Sequence, residues 1–161
     1  MTMNNLFITV GVPGSGKSTF CKSVLYPGAH YVSRDKIRFS LLKDNDDYFS
    51  KETEVFNKFV ESICVGLRAG VDVVADATHI TPASRTKLLR AICRKLPKDF
   101  RFRTVYLYFT TSLGECLDRN ELRTGREYVP ESAIKKMWKD LIRPTADEIP
   151  WTGYIVDIHG N

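Results

Sequence analysis

The sequence predicts an α/β fold in which a mostly parallel central sheet carries helices on both of its faces. Three observations predict it. Short apolar runs alternate along the chain with segments of helical periodicity, which is the pattern of βαβ units. The first apolar run, "LFITV", leads directly into the glycine-rich "GVPGSGKS". A length of 161 residues, of which 43% are hydrophobic, suits a single domain over residues 1–161 with one core.

Each strand and helix is predicted from its own stretch of sequence. Strands are expected at the short apolar runs, which lie at residues 6–10, 30–33, 71–75, 103–109 and 153–158. A helix is predicted over residues 16–25, before the turn signal at Pro27 and Gly28. Further helices are predicted to end at Gly70, to run from a cap at Thr81 to about Lys95, to span 112–120 and to begin at Pro130. Sheets of this kind bind ligands at the carboxyl ends of their strands, so residues that follow strands are the first site candidates.

Composition narrows the possible partners. The net charge of +5 and a pI near 9.0 favour a polyanionic partner or small phosphorylated ligands. No apolar stretch approaches the roughly 20 residues of a membrane span, so we expect no membrane partner. The first ten residues lack a basic leader and are not expected to form a signal peptide. The four cysteines lack metal-ligand spacing and are expected to be reduced thiols of a cytoplasmic protein. The oligomeric state stays open.

The glycine-rich stretch from Gly11 to Ser18 fits the pattern G-x-x-x-x-G-K-[ST] at every fixed position. Glycines allow backbone N–H groups to curl around phosphate oxygens, and the helix that follows points its positive end at the same oxygens. Lys17 is expected to reach the outer phosphates, and Ser18 is expected to bind Mg²⁺. The predicted ATP-binding loop residues are Val12, Pro13, Gly14, Ser15, Gly16, Lys17, Ser18 and Thr19.

Two aspartates are predicted at the ligand edge of the sheet. Asp35 comes soon after the second strand, and Asp76 comes directly after the third. Such carboxylates serve as a base for a hydroxyl, as a direct or water-mediated Mg²⁺ ligand, or as a partner that orients a cation. Asp76 ends a buried strand beside the phosphate loop, which favours the magnesium side. For Asp35 the alternative is a helix cap, because "KIRFSLL" follows it.

Three arginines, Arg119, Arg123 and Arg126, lie within eight residues of one another. The polar segment "ELRTGREYV" contains a glycine and is too long for a tight turn. It predicts a short lid at about 121–129 that brings guanidinium groups onto a transferring phosphoryl group. The alternative is a solvated basic loop.

A second basic cluster lies between Arg85 and Arg103, where eight Lys or Arg residues occur with one acid. This composition is also typical of a nucleic-acid patch. The predicted helix starts at the ligand edge and runs away from it, so we expect residues 94–103 to form a solvated face at the opposite end of the sheet. Arg85, near the helix start, is the member expected to meet a substrate.

In order along the chain, "GVPGSGKSTF", "SRDKIR", "VVADATHITPASR" and "DRNELRTGREYVP" resemble the 5′-hydroxyl kinase domain of phage and bacterial polynucleotide kinases. The resemblance runs from about residue 6 to residue 130 and more loosely beyond. It implies a P-loop kinase fold with ATP and Mg²⁺ as cofactors. The phosphate-loop block is generic, whereas the other blocks in register with it are more specific.

The resemblance also implies roles for individual residues. Asp35 takes the proton from the acceptor hydroxyl, and Arg38 binds the acceptor's phosphate. Asp76 supports that arginine or the metal side of the site. Arg123 contacts the phosphoryl donor, with Arg119 and Arg126 as helpers. His79 and Arg85 are expected acceptor contacts, although in "DATH" His79 stands where the family commonly has Asn.

These observations predict an ATP-dependent kinase that phosphorylates a hydroxyl of nucleic acid, first of all the 5′-OH end of DNA or RNA. Two other acceptors stay open, namely a hydroxymethylated base on DNA and a small metabolite or nucleotide. A non-enzymatic, ATP-dependent binding module is the further alternative. A GTPase is disfavoured because "TTSLGE", with no N-K-x-D motif, follows the fourth strand. With no phosphatase or ligase module in the 161 residues, a stand-alone kinase is expected.

Overall fold

The computed structural model describes residues 3–25 and 27–159. Five strands form one sheet in the order β2-β3-β1-β4-β5, and every pair in it is parallel. This confirms the predicted sheet, which proves to be parallel throughout. The strands are β1 (Asn5–Val10), β2 (His30–Ser33), β3 (Val73–Asp76), β4 (Arg103–Phe109) and β5 (Thr152–Ile158).

Six α-helices connect and cover these strands in the described part of the chain. They are α1 (Lys17–Phe20), α2 (Arg34–Leu41), α3 (Glu52–Arg68), α4 (Pro82–Lys95), α5 (Leu113–Glu121) and α6 (Glu131–Asp140). A π-helical turn, Cys21–Leu25, continues α1, and two short 3₁₀ turns lie at Gly125–Glu127 and Ala146–Glu148.

The main core lies between the sheet and helices α3 and α4. Apolar residues of α3 recur at helical spacing, and Phe59 and Ile63 are fully buried against Leu6 and Ile8 of β1. The start of α4 follows from its local sequence, since Thr81 Oγ1 accepts a hydrogen bond from the backbone N–H of Ser84 at 3.2 Å and a proline takes the first position. A separate cluster around Val105, Leu107 and Phe109 covers the other face of the sheet, so apolar packing occupies both faces.

The structure corrects three details of the predicted elements. The helix predicted over 16–25 is an α-helix only to Phe20 and then a π-helical turn, and Tyr26 lies outside the described residues. The third strand begins at Val73 rather than at residue 71. It also extends one residue further than predicted, so that Asp76 is its last residue. The segment after β2 forms the full helix α2, which was foreseen only as an alternative for Asp35. All four cysteines are free thiols, as predicted.

Parallel register brings the carboxyl ends of the strands to one edge. Ser33 at the end of β2 pairs with Asp76 at the end of β3, and Ile8 near the end of β1 pairs with Ala75. The phosphate loop follows β1 directly. The loop, Asp76 and the start of α2 therefore meet at the same edge of the sheet, where ligands of such folds bind.

Candidate active site

The phosphate loop is shaped by backbone that only glycine accommodates easily. Gly14 and Gly16 have φ angles of 84° and 95°, in the left-handed region. A Cβ atom on Gly14 would lie 2.4 Å from the carbonyl oxygen of Cys116, so the loop packs directly against α5. The Gly11 N–H donates to the Thr78 carbonyl at 2.9 Å, which ties the start of the loop to the segment after β3.

The residues of this loop fit a bound phosphate group. The Ser15 hydroxyl is buried and, among the described residues, has no hydrogen-bond partner, although its neighbours hold the loop tightly. The Lys17 ammonium donates to the Val12 carbonyl at 2.9 Å and so lies folded over the loop. Burial lowers the pKa of Lys17, and the charge of the Asp76 carboxylate opposes that shift only in part. A phosphate anion in the cradle would supply a negative charge beside this ammonium.

The metal-side candidates Ser18 and Asp76 are in direct contact. The Ser18 hydroxyl donates to Asp76 Oδ2 at 2.7 Å, and the Tyr31 hydroxyl donates to the same oxygen. Thr9 Oγ1 lies 3.5 Å from Asp76 Oδ1 and donates more closely to the Ala77 carbonyl at 2.7 Å. Hydroxyl and carboxylate oxygens suit Mg²⁺. The described residues hold no cluster of three or more His, Cys, Asp or Glu for a metal, and a magnesium site that borrows phosphate and water oxygens needs none.

Asp35 lies in the first turn of α2, but it does not cap that helix. The N-cap is Ser33, whose hydroxyl accepts from the Lys36 N–H at 3.2 Å. The cap alternative for Asp35 is therefore wrong. Its carboxylate is 64% exposed and accepts a hydrogen bond from Arg38 Nη1 at 2.6 Å. An exposed carboxylate beside a guanidinium at the ligand edge is available to an incoming hydroxyl.

Arg38 is held by three neighbours. Its Nε donates to Glu52 Oε1 at 2.7 Å. Its Nη1 donates to Asp35 Oδ1 at 2.6 Å and to the Tyr48 hydroxyl at 3.0 Å. Burial opposes the charged form, yet the hydrogen bond and charge of Glu52 raise the pKa of Arg38 above its ordinary value. Within the described residues, Nη2 of Arg38 makes no hydrogen bond and is the nitrogen that remains for a phosphate oxygen. The hydrogen bonds of Asp76 go to Ser18 and Tyr31 rather than to Arg38, so a role on the metal side stays the prediction for Asp76.

The predicted lid is a loop pinned at its base. Asn120 is buried, its side-chain amide donates to the Val129 carbonyl at 2.6 Å, and its carbonyl accepts from the Val129 N–H at 3.0 Å. Arg119 Nη1 donates to the Gly14 carbonyl at 3.2 Å. Arg126 instead donates to the Lys43 carbonyl in the loop after α2, so the expectation that it binds ATP is not supported by its position. Helix α5, which precedes the lid, thus touches the phosphate loop through Arg119, and the lid itself reaches the loop after α2 through Arg126.

A cavity of about 540 Å³ opens beside the phosphate loop. Arg119 and Arg123 line it together with loop residues 14–16, and the rings of Phe20, Phe109 and His159 also line it. The positive charge of Arg123 is also close enough to Lys17 to help lower the pKa of that ammonium. A space that joins a phosphate cradle to aromatic walls suits the donor nucleotide.

Two predicted acceptor contacts lie inside the fold. The Arg85 side chain is fully buried. Its Nε donates to Glu148 Oε1 at 2.7 Å, and its Nη1 donates to the His79 carbonyl at 2.7 Å. His79 is 4% exposed, and its Nδ1–H donates to the Thr9 carbonyl at 2.8 Å. Burial lowers the pKa of His79 to about 4. Both expectations are corrected: these residues hold β1, the segment after β3 and the 3₁₀ turn at Glu148 together.

Sequence reasoning missed four residues of the site. Glu52 and Tyr48 hold Arg38, Tyr31 holds Asp76, and Phe49 lies exposed beside Tyr48. Tyr48 and Phe49 stand together inside the polar stretch "KDNDDYFSKET", and this adjacent aromatic pair was the available signal. No comparable signal marks Glu52, because its contact depends on how α2 packs against α3.

The basic cluster lies where it was expected. Helix α4 begins next to the ligand edge and ends at Lys95, and Arg103 opens β4 opposite Asn5 at the start of β1. Arg103 Nη1 donates to Asn5 Oδ1 at 3.0 Å, and Lys95 pairs with Glu61 at 3.2 Å. Residues 94–103 therefore lie at the amino end of the sheet, away from the phosphate loop.

Residues 6–144 match the family model described as an AAA domain. The chain belongs to this family. It is also similar to a candidate bifunctional polynucleotide kinase/RNA ligase of Autographa californica nuclear polyhedrosis virus, with 24% identity over 167 residues. That match covers 90% of this chain but only 23% of the relative. The family resemblance drawn from the sequence is thereby confirmed.

Solved structures carry the same fold. A chain of the Pnkp1/Rnl/Hen1 RNA repair complex matches with a TM-score of 0.72 and 25% identity over 88% of this chain and 45% of that chain. A sugar kinase from Janibacter sp. HTCC2649 matches with a TM-score of 0.62 and 18% identity over 97% of this chain and 86% of that chain. This chain therefore spans less than half of the polynucleotide kinase relatives that it resembles.

Proposed function

We propose that the protein is an ATP-dependent kinase that transfers the γ-phosphoryl group to a 5′-hydroxyl of DNA or RNA. One observation carries the proposal: the exposed Asp35 carboxylate and the Arg38 guanidinium lie at the sheet edge that also holds Lys17, Ser18 and Asp76. A base for a hydroxyl and a cation for a nucleic-acid phosphate are thus combined with a phosphate cradle. Similarity to a polynucleotide kinase/RNA ligase and to an RNA repair chain supports nucleic acid as the acceptor class.

The residues divide the reaction between them. The loop amides and Lys17 hold the phosphates of ATP, and Mg²⁺ held from the Ser18 and Asp76 side would offset their charge. Asp35 accepts the proton of the acceptor hydroxyl. The oxygen of that hydroxyl bonds to the γ-phosphorus as the bond between the γ-phosphorus and ADP breaks. Arg123 faces the same cavity and stabilises charge on the transferred group. Arg38 positions the acceptor through its remaining donor.

Other acceptors use the same constellation. A hydroxymethylated base on DNA would also present a hydroxyl to Asp35 and a phosphate to Arg38. Because the same fold carries a sugar kinase, the fold by itself does not exclude a small-metabolite acceptor. A binding module without transfer would have no need of a carboxylate placed like Asp35, which accepts a hydrogen bond from Arg38 and stays 64% exposed.

The free thiols support a proposal about the cellular setting. All four cysteines are free, and three of them are buried, which supports a reducing compartment such as the cytoplasm. Among the described residues, no helix is long and apolar enough to cross a membrane.

The deciding experiment offers γ-labelled ATP and Mg²⁺ to a panel of acceptors. The panel contains 5′-OH DNA and RNA oligonucleotides, single- and double-stranded, together with duplexes bearing hydroxymethylated bases and a set of sugars and nucleosides. We expect label on the 5′-OH oligonucleotides, no label with the Lys17→Ala variant, and none when EDTA replaces Mg²⁺. Label on a metabolite and on no oligonucleotide would overturn the proposal.

A further inference from the structure

An aromatic pair stands beside the proposed base. Tyr48 and Phe49 lie in the loop between α2 and α3, with ring centroids 4.7 Å apart and planes at 81°. The Phe49 side chain is 66% exposed, whereas Tyr48 is half-buried. A single exposed aromatic residue needs no explanation by itself. The position of the Phe49 ring relative to Asp35 and Arg38, however, requires an explanation.

The loop that carries the pair is braced at several points. Lys51 Nζ donates to the Leu41 carbonyl at 2.7 Å, and the Lys43 N–H donates to Asp46 Oδ2 at 2.8 Å. The Tyr48 ring also packs edge-to-face on Phe39, with centroids 6.2 Å apart. Phe49 is therefore held in place by its neighbours, and an exposed ring that is already ordered costs little further entropy when a ligand covers it.

One guanidinium connects the pair to the base. The Arg38 Cζ atom lies 4.5 Å from the Tyr48 ring centroid and 5.9 Å from that of Phe49. The same guanidinium donates to Asp35, and the Tyr48 hydroxyl lies 3.3 Å from the Asp35 carboxylate. The Phe49 ring and the Asp35 carboxylate are thus separated by about one side chain. A hydroxyl site, a phosphate site and a flat apolar surface converge within the reach of one nucleotide.

We propose that Phe49 is a stacking platform for the base of the nucleotide that carries the accepting hydroxyl. This inference rests on the proposed kinase function and adds a specificity-determining residue to it. Stacking on an aromatic ring tolerates any base, because every base has a π face, so the platform suits an enzyme that acts on strand ends of any sequence. A partner protein is the other class of occupant for an exposed ring, and an unchanged KM for the oligonucleotide in Phe49→Ala would favour that occupant over a base.

The test compares Phe49→Ala, Phe49→Leu and Phe49→Trp with the wild type, using a 5′-OH oligonucleotide as acceptor. Loss of one base–aromatic stack is expected to raise the KM for the oligonucleotide by about tenfold in Phe49→Ala, with the KM for ATP unchanged. Phe49→Leu should behave like Phe49→Ala, since it keeps apolar surface but has no ring, and Phe49→Trp should retain the wild-type KM. Base stacking should also quench the fluorescence that Phe49→Trp adds to that of Trp138 and Trp151.

Two controls sharpen the test. Tyr154, which is 51% exposed on β5 at the opposite edge of the sheet from β2, provides a matched aromatic removal, and Tyr154→Ala should leave every constant unchanged. An acceptor with an abasic 5′-terminal nucleotide should show the same KM with the wild type and with Phe49→Ala.

Each outcome has a separate meaning. A tenfold loss that persists with the abasic acceptor, or a wild-type KM in Phe49→Leu, overturns the stacking role. Oligonucleotide labelling with an unchanged KM in Phe49→Ala overturns stacking and leaves the proposed function standing. Absence of labelling by the wild type overturns both.

Discussion

The proposed donor and acceptor halves of this site owe their shapes to different parts of the chain, the donor half to backbone and the acceptor half to side chains. The donor half consists of loop residues 11–19 with Asp76. Its shape comes from backbone, namely the left-handed glycines and the α5 carbonyl packed against Gly14. The acceptor half consists of Asp35, Arg38, Tyr48 and Glu52, and its shape comes from hydrogen bonds among side chains. Both halves lie at one edge of the same sheet.

This difference decides how each half tolerates change. A backbone cradle needs glycine at two positions and fails when a side chain is added there. In a side-chain network the donors are shared. The loss of one member therefore leaves the other side chains in place and changes which hydrogen bonds they make. We expect substitutions in the donor half to remove function and folding stability together, and substitutions in the acceptor half to change catalysis while the fold stays intact.

The largest expected effect comes from Asp35→Asn. Loss of a general base typically costs about 10²–10⁴-fold in rate, so kcat should fall by that factor while the KM for ATP changes little. Because the side chain is 64% exposed, the melting temperature should also stay close to that of the wild type. Steady-state kinetics with labelled ATP measures the first expectation, and thermal unfolding measures the second.

The matched control for Asp35→Asn is Asp44→Asn, which removes an exposed carboxylate from the loop after α2. It should leave kcat unchanged. If Asp35→Asn retains a near-normal kcat, the base assignment is wrong and the acceptor half serves only for binding.

Gly14→Ala tests the donor half. The new Cβ would lie 2.4 Å from the Cys116 carbonyl oxygen at a φ angle of 84°, so the loop or α5 must shift. Held strain of this kind costs about 1–3 kcal/mol, and the displaced loop should also lose ATP affinity. Chemical denaturation and nucleotide binding measure the two effects on the same sample.

Gly114→Ala is the control for that change, because nothing lies within 4 Å of its added Cβ and α5 favours alanine over glycine. We expect it to match or exceed the wild-type stability. Equal stabilities of the two variants would show that the loop can accommodate a side chain at position 14 and does not require glycine there.

Glu52→Gln tests whether the acceptor half is a side-chain network. The substitution keeps the shape but removes the charge that Arg38 Nε contacts at 2.7 Å, so the guanidinium should swing further toward Asp35. We expect the KM for the oligonucleotide to rise by about tenfold, in line with a hydrogen bond to a charged group, and the KM for ATP to stay constant.

Glu54→Gln, on the exposed side of α3, is the matched control and should be neutral. An increase in the KM for ATP in Glu52→Gln equal to that for the acceptor would instead place Arg38 in the donor half.

The contrast between the halves also explains what the sequence could predict. The succession of strands along the chain, the loop from Gly11 to Ser18 and the position of Asp76 could be predicted, because glycines and buried runs encode backbone shape locally. The order of the strands within the sheet was not predicted. All five strands were found, and the start of α4 was placed correctly from Thr81 and the proline after it.

Side-chain partners were not readable in the same way. Arg85 and His79 follow β3 in sequence, as a substrate contact would, yet both are buried. Arg85 pairs with Glu148 of a distant 3₁₀ turn, and the His79 ring donates to the Thr9 carbonyl of β1. Glu52 lies 14 residues from Arg38, and only the packing of α2 on α3 brings the two together. Residues whose contacts depend on tertiary packing carry no local signal of it.

The smallest expected effect comes from a face outside both halves. Replacing Arg94, Lys95 and Lys98 together by Gln should change the KM for an oligonucleotide by less than about twofold, because these residues lie at the amino end of the sheet. The ion pair lost with Lys95 is half-exposed and contributes at most about 1 kcal/mol to stability.

A comparison variant in which Arg119, Arg123 and Arg126 become Gln removes the same net charge at the ligand edge. Long-range steering of a nucleic acid depends on net charge and should weaken similarly in both triple variants, whereas direct contact depends on position. We therefore expect only the ligand-edge variant to lose turnover. A large loss of oligonucleotide affinity in the Arg94, Lys95 and Lys98 variant, at a salt concentration where steering is screened, would mean that the nucleic acid extends around the sheet to its amino end. The acceptor half would then be larger than Arg38 and the three side chains that hold it.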